Sequence, residues 1–250
     1  MNENYLKFLL MLADNSMIIG QRLSEWCGHG PVLEQDIAMT NIALDCIGQA
    51  RMLYQYAAEY EGKGQDEDDM AFLRTERNYR NLLLCEQPND DFAYTIVRQY
   101  IFDVWQNNYY TLLAEGNDER LSAIAIKSLK EAKYHLKYSS EWVKRLGLGT
   151  DESNRRMSKA LEDLWRYAAE AYMPADFEQD LISSDLIPDV TILKDEALNE
   201  MSTHFENSNL KVDKDTFMQK GGKAGLHTEY LGYILTELQY MQRAYPGSKW

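Results

Sequence analysis

At 250 residues the chain lies at the upper end of single-domain size and can bury a large core. Its formal charge of -14 argues against nucleic acid or an anionic membrane surface as the main partner, because both need a net or local basic face. No apolar run reaches membrane-spanning length and no export signal is expected; the scattered Cys27, Cys46 and Cys85 read as reduced, buried thiols of a cytoplasmic protein.

Leu6, Leu9, Leu10, Ala13, Met17 and Leu23 recur at helical spacing and predict a first helix over 3–27, ended by Gly28-His29-Gly30-Pro31. A second is predicted over 34–61, stopped by Gly62-Lys63-Gly64. A long connection follows, acidic at Asp66 to Asp69 and basic at Arg74, Arg77 and Arg80, with room for a short helix. Helices over 91–115 and 118–146 come next, joined by the tight Glu115-Gly116-Asn117-Asp118 turn. Two hairpins joined by one long crossover is ferritin-like connectivity. The predicted fold is therefore all-α, a ferritin-like four-helix bundle with the crossover between helices two and three. The whole of 1–250 reads as one domain, with a core over 3–146 and a C-terminal helical extension over 152–250. In that extension the pattern predicts a helix over 152–172, a loop over 174–189, a shorter helix over 190–205 and a last helix over 225–244. The last carries an apolar face of Leu226, Tyr230, Tyr233, Ile234, Leu238 and Met241.

Lys130 to Trp142 is the organising stretch. Ala125, Leu129, Ala132, Leu136, Ser139, Val143 and Leu146 form one core stripe. Ile124, Ser128, Glu131, His135, Tyr138 and Trp142 run beside it, which sets a carboxylate and an imidazole at the edge of the buried surface. A charge there needs a partner. Two-iron bundles carry Glu-x-x-His on each of two helices and one Glu on each of the others. Here the residue three after Glu131 is Tyr134, and the histidine has slipped to His135. In the second helix the equivalent pair is Asp45 and Gly48, and glycine offers no ligand. Helices one and three supply only the shorter acids Asp14 and Asp103. The pattern is a di-iron bundle with its metal site dismantled, so no metal and no catalytic residue is assigned. Asp45, Glu131 and His135 are left either as a satisfied polar cluster or as holders of a single ion.

Two further segments carry alternatives. In Gly221-Gly222-Lys223-Ala224-Gly225-Leu226-His227-Thr228-Glu229 the glycines either let backbone amides approach a phosphate or form a tight turn that docks the last helix, with His227 or Thr228 near its cap. Arg74, Arg77 and Arg80 either pair on the surface with the acids of 66–76 or meet the phosphates of a nucleotide-like ligand.

Gln21 to His29, Gly48-Gln49-Ala50-Arg51, Asn81 to Leu84 with Glu86 to Asn89, Glu131 to Leu136, and Gly221-Gly222-Lys223 with Gly225 to Glu229 together resemble the C subunits of bacterial 1,2-phenylacetyl-CoA epoxidases, along essentially the whole chain. The resemblance implies a ferritin-like, structural subunit of a multicomponent monooxygenase in aerobic phenylacetate catabolism. A related A subunit holds the di-iron centre and inserts oxygen into the ring of phenylacetyl-CoA, and a separate reductase subunit supplies electrons from NADPH. The implied partners are the A subunit and the acyl-CoA at its boundary; a homodimer in the partner's absence stays open. Carried onto this chain, the segments bordering the coenzyme A channel are Asn78-Tyr79-Arg80-Asn81 and Gln179-Asp180-Leu181. Two alternatives stand beside this reading: a self-contained oxygenase using Asp45, Glu131 and His135, and a helical acyl-CoA-binding module.

Overall fold

A computed structural model describes residues 1–248. The helices are α1 (Glu3–Ser24), α2 (Leu33–Glu61), α3 (Glu67–Phe72), α4 (Leu83–Glu86), α5 (Phe92–Ala114), α6 (Glu119–Gly147), α7 (Asp151–Leu164), α8 (Asp176–Ser183), α9 (Lys194–Asn207), α10 (Glu229–Leu238) and α11 (Tyr240–Ala244). The chain is all-α and ferritin-like in connectivity: hairpin α1–α2, a long crossover holding α3 and α4, hairpin α5–α6, then the C-terminal helices. Among the described residues no helix is long and apolar enough to cross a membrane.

The helix starts follow from local chemistry. The Asn2 side chain accepts the amides of Asn4 and Tyr5, Asp91 that of Tyr94, and Asp118 that of Leu121. Asp66 and Asp69 close a capping box on α3, and Thr150 and Ser153 one on α7. Gly62, left-handed at φ 69°, ends α2.

The chain folds as two compact units. The first holds residues 1–86, 175–181 and the segment from Gly221 on. Its core is the α1–α2 hairpin, with Phe8, Leu9, Leu12, Ile18 and Ile19 buried from α1 and Ile42, Cys46, Leu53 and Tyr54 from α2. The second holds Gln87–Pro174 and Ile182–Lys220. Its core is the α5–α6 hairpin closed by α7 and α9, where Tyr100 meets Phe205 edge-on at 5.2 Å.

Several expectations are corrected. On α6 the deepest line is Leu121, Ala125, Ser128, Ala132, His135, Ser139 and Val143, while Leu129, Leu136 and Leu146 are half-buried. Small side chains at the middle of that line let α5 approach closely, which takes His135 from the expected edge to full burial. The helix expected over 152–172 leaves α geometry after Leu164 and tightens into 3-10 turns at Trp165–Tyr167 and Glu170–Tyr172, burying Trp165 and Tyr172. The expected loop over 174–189 contains α8, whose start is closed by Glu178 accepting the Ala175 amide at 2.8 Å. Gly225, left-handed at φ 79°, ends a 3-10 turn at Gly222–Ala224; the last helix begins only at Glu229, after Thr228, and breaks at Gln239. Its Leu231, Ile234 and Leu235 are buried, whereas Leu226, Tyr233 and Met241 are exposed. Cys27 is exposed, because α1 ends at Ser24 and leaves it in a turn.

Two helical glycines differ in surroundings. A Cβ at Gly147 would strike the Ser208 backbone, whereas one at Gly48 would meet nothing within 4 Å. In urea unfolding of the full chain, Gly147→Ala is expected to lower stability by about 1–3 kcal/mol. Gly48→Ala is expected to raise it by about 0.5–1 kcal/mol, through helix propensity alone.

Candidate functional site

The polar residues of the first unit gather where the crossover lies on α1. Asp14 and Asn15 are fully buried on α1, where an unpaired carboxylate would be very costly. The Asp14 carboxylate accepts the Tyr54 hydroxyl at 2.6 Å, the Arg74 guanidinium through both terminal nitrogens, and the Arg80 backbone N–H at 2.8 Å. Asn15 Oδ1 accepts the Leu82 amide at 2.8 Å. The crossover can therefore be buried because α1 supplies acceptors for its backbone donors. Arg74 also donates to the Met70 and Asn78 carbonyls and lies 4.3 Å from the Tyr79 ring centre. Burial disfavours its charge, but Asp14 and the flanking tyrosines more than offset this and its pKa is raised. Burial pushes the Tyr79 phenol up to about 12. Arg74 is thus neither a surface partner for the acids of 66–76 nor available to a phosphate; Arg77 is exposed and Arg80 half-buried.

A second cluster docks the glycine loop. Glu86 is fully buried; its carboxylate accepts the Thr228 amide at 2.8 Å and the Asn81 side-chain amide at 3.4 Å, and faces His227 Nδ1 at 3.2 Å. Its backbone carbonyl accepts Arg22 Nη2 at 2.7 Å. His227 Nε2 lies 3.0 Å from the Tyr79 carbonyl. A Cβ at Gly222 would collide with the Asn81 carbonyl. Lys223 is paired with Glu178 at 3.0 Å, both buried. The loop is the docking turn, and its lysine is already neutralised.

Of the predicted substrate residues, Tyr79 and Asn81 point inward, Asn78 is exposed and Arg80 half-buried. Gln179 and Asp180 are exposed on α8, with Asp180 accepting from Asn4 at 2.9 Å, and Leu181 is buried. All seven lie in the first unit. Thr75, Glu76, Arg77, Gln239, Tyr240 and Arg243 line a groove of about 770 Å³. Glu76, Arg77, His227 and Thr228 line a recess of about 300 Å³ that shares Glu76 and Arg77 with it.

In the second unit Asp103 is fully buried on α5, accepting Gln99 Nε2 at 2.7 Å and the Ser139 hydroxyl at 2.7 Å. Burial raises its pKa to about 6, although His135, Ser139 and Gln99 pull it back. Glu131 is half-buried, Tyr134 is 56% exposed and His135 fully buried, so the inward step of three on α6 is Ala132 then His135. On α2 Asp45 is half-buried and Gly48 exposed. The inward step of three there is Cys46 then Gln49.

The family model described as "Phenylacetic acid catabolic protein" matches residues 1–250. The chain belongs to that family. It is 46% identical over 243 residues to the C subunit of the 1,2-phenylacetyl-CoA epoxidase of Escherichia coli (strain K12), covering 97% of this chain and 98% of that one.

A di-iron centre of the kind found in ferritin-like oxygenases does not fit this donor set. Asp14 is closed by an arginine, a tyrosine and a backbone amide, and Asp103 by an amide and a hydroxyl. Among the described residues no group of three or more His, Cys, Asp or Glu side chains is placed to hold a metal ion. Sequence reasoning missed Glu86, Glu178 and Lys223. The signal for Glu86 was a lone acid closing the apolar run Leu82 to Cys85, where a charge is buried only with partners.

Asp14→Asn leaves Arg74 buried without a counter-charge and is expected to cost about 3–5 kcal/mol by chemical unfolding. Asp103 carries the opposite sign. Its folded pKa of about 6 exceeds the ordinary 3.8, so its contribution favours folding at low pH and is lost as pH rises through that window. Asp103→Asn is expected to gain on the order of 2 kcal/mol over wild type between pH 4 and pH 8; an equal difference at both values would show that burial leaves Asp103 unshifted.

Proposed function

We infer that this chain is the non-catalytic, structural subunit of a multicomponent monooxygenase that epoxidises the aromatic ring of phenylacetyl-CoA in aerobic phenylacetate catabolism. The observation that carries the reading is its full-length similarity to the C subunit of an epoxidase. The chain's own chemistry agrees. The acids that a two-iron bundle would use as lone ligands are occupied by donors from their own unit. A self-contained oxygenase at Asp45, Glu131 and His135 gains no support from the donor set.

The di-iron centre belongs, on this reading, to a catalytic A subunit, with NADPH electrons delivered by a reductase. This chain binds the A subunit and helps to form the acyl-CoA site in the cytoplasm. Asn78, Tyr79, Arg80, Asn81, Gln179, Asp180 and Leu181 would border the coenzyme A. Buried Tyr79 and Asn81 would fix the first segment, and half-buried Arg80, beside exposed Arg77, would meet phosphate. The buried Asp14 contact to the Arg80 amide supports this, because it pre-sets the backbone from which the guanidinium reaches out.

Iron analysis of the full chain, purified alone from iron-supplemented cells, is expected to find almost none, and the chain is expected to co-purify with the di-iron subunit. About two irons per chain would overturn the structural reading. In the reconstituted enzyme Arg80→Ala should raise KM for phenylacetyl-CoA roughly five- to tenfold, a loss of about 1–1.5 kcal/mol, with kcat and partner iron unchanged. An unchanged KM would remove Arg80 from the substrate site while leaving the structural role intact.

A further inference from the structure

His227 is held in a way that fixes its proton count. Its side chain is 4% exposed and that of Glu86 0%. Both ring nitrogens face oxygens: Nε2 the Tyr79 carbonyl at 3.0 Å, Nδ1 the Glu86 carboxylate at 3.2 Å. A carbonyl only accepts, so Nε2 must carry hydrogen. Glu86 already accepts the Thr228 amide on one oxygen and the Asn81 amide on the other. A further proton must therefore lie between Nδ1 and Oε2. Imidazole is the stronger base of the two, so that proton is placed on Nδ1 of the ring. Without it, two lone pairs would face each other in a buried site.

We propose that His227 is a proton-operated latch. With the proton in place it bridges the Glu86 carboxylate and the Tyr79 carbonyl and holds residues 221–228 on the crossover; on losing the Nδ1 proton to solvent it releases them. Charges of both signs surround the ring. Asp14 and Arg22 approach from α1, with Arg22 bound to the Glu86 carbonyl. Glu76 and Arg77 from the crossover, and Glu229 from α10, share its recess. Arg80 Nη1 lies beside Gly225, and Lys223 of the same loop is neutralised by Glu178. Burial lowers the His227 pKa, but the Glu86 hydrogen bond and charge, the Tyr79 carbonyl and Asp14 outweigh it, so the net shift is upward.

The consequence is structural. The 300 Å³ recess and the 770 Å³ groove share Glu76, Arg77 and Gly232; the crossover gives one wall of each, the latched loop and the start of α10 the other wall of the recess, and the helices that follow the loop the other wall of the groove. Releasing the loop loosens that wall. The folded pKa is raised, so the latch's contribution is complete below the ordinary value of 6.5 and is lost as pH rises through the folded value.

Hydrogen exchange of the full chain from pH 6 to 9, corrected for intrinsic rates, tests the latch, together with nitrogen-detected NMR of the four histidines in a ¹⁵N-histidine-labelled sample. His227 is expected to show two protonated ring nitrogens at pH 6.5. Protection of residues 75–86 and 221–238 should fall, by up to about tenfold per pH unit, from the ordinary histidine value of 6.5 up to the His227 midpoint and level off above it. In His227→Gln that pH dependence should flatten. A singly protonated His227 at pH 6.5, or the same pH profile in His227→Gln, overturns the proposal. Should His227→Gln fail to fold, the wild-type NMR titration decides alone.

Discussion

The first unit depends on the burial of Asp14 against Arg74. A connection as long as the one between α2 and α5 carries many backbone donors and acceptors, and covering it is prohibitive unless each finds a partner. Asp14 accepts a guanidinium, a phenol and a backbone amide, and its neighbour Asn15 accepts the next amide but one, so two consecutive residues of α1 fix the path of 74–82. A buried ion pair contributes little net stability, because desolvation offsets most of its attraction. Its worth is in register. Arg74 sandwiched near Tyr54 and Tyr79 leaves the crossover one way to lie, and Glu86 and Lys223 then dock the C-terminal loop onto that path.

The second unit treats a buried acid differently. Among the described residues no cation is bonded to Asp103; Gln99 and Ser139 supply its two hydrogen bonds and His135 stands near. Desolvation of Asp103 shows as an upward pKa shift. A helical bundle has two ways to keep a buried acid without a metal. It can bring in an arginine, or it can keep the acid close to neutral.

The long helices were legible because period 3.6 and glycine stops dominate their sequences, and Gly28, Gly62 and Gly116 mark turns that the structure keeps. The rest hid for identifiable reasons. Trp165 and Tyr172 suit a 3-10 turn as well as an α-helix, so their spacing could not reveal the tightening after Leu164. The start of α8 rests on one contact, Glu178 to the Ala175 amide, inside a stretch whose acids and serines resemble a loop. The charges of the site were visible, but their partners were not: Arg74 finds Asp14 sixty positions away and His227 finds Glu86 across 141. A local pattern cannot rank such pairings, and an arginine triplet reads equally as a solvated face or as a phosphate clamp until one member is seen to be buried.

Burial also changes which residues of each helix match the two-iron pattern. The frame Glu131 to Tyr134 suggests itself because it begins with a glutamate, yet Tyr134 stands out to solvent while His135 faces Asp103 from full burial. Counting back three from the buried histidine gives Ala132. The same step on α2 joins Cys46 to Gln49, both fully buried. Each helix therefore keeps two inward positions at the spacing that Glu-x-x-His requires, and on each the place of the acid holds a small side chain. The second place holds a nitrogen-bearing side chain, an imidazole on α6 and an amide on α2. With no acid at the first place, neither pair offers the negative charge that would draw a cation in. The buried acids Asp14 and Asp103 are answered by donors of their own units.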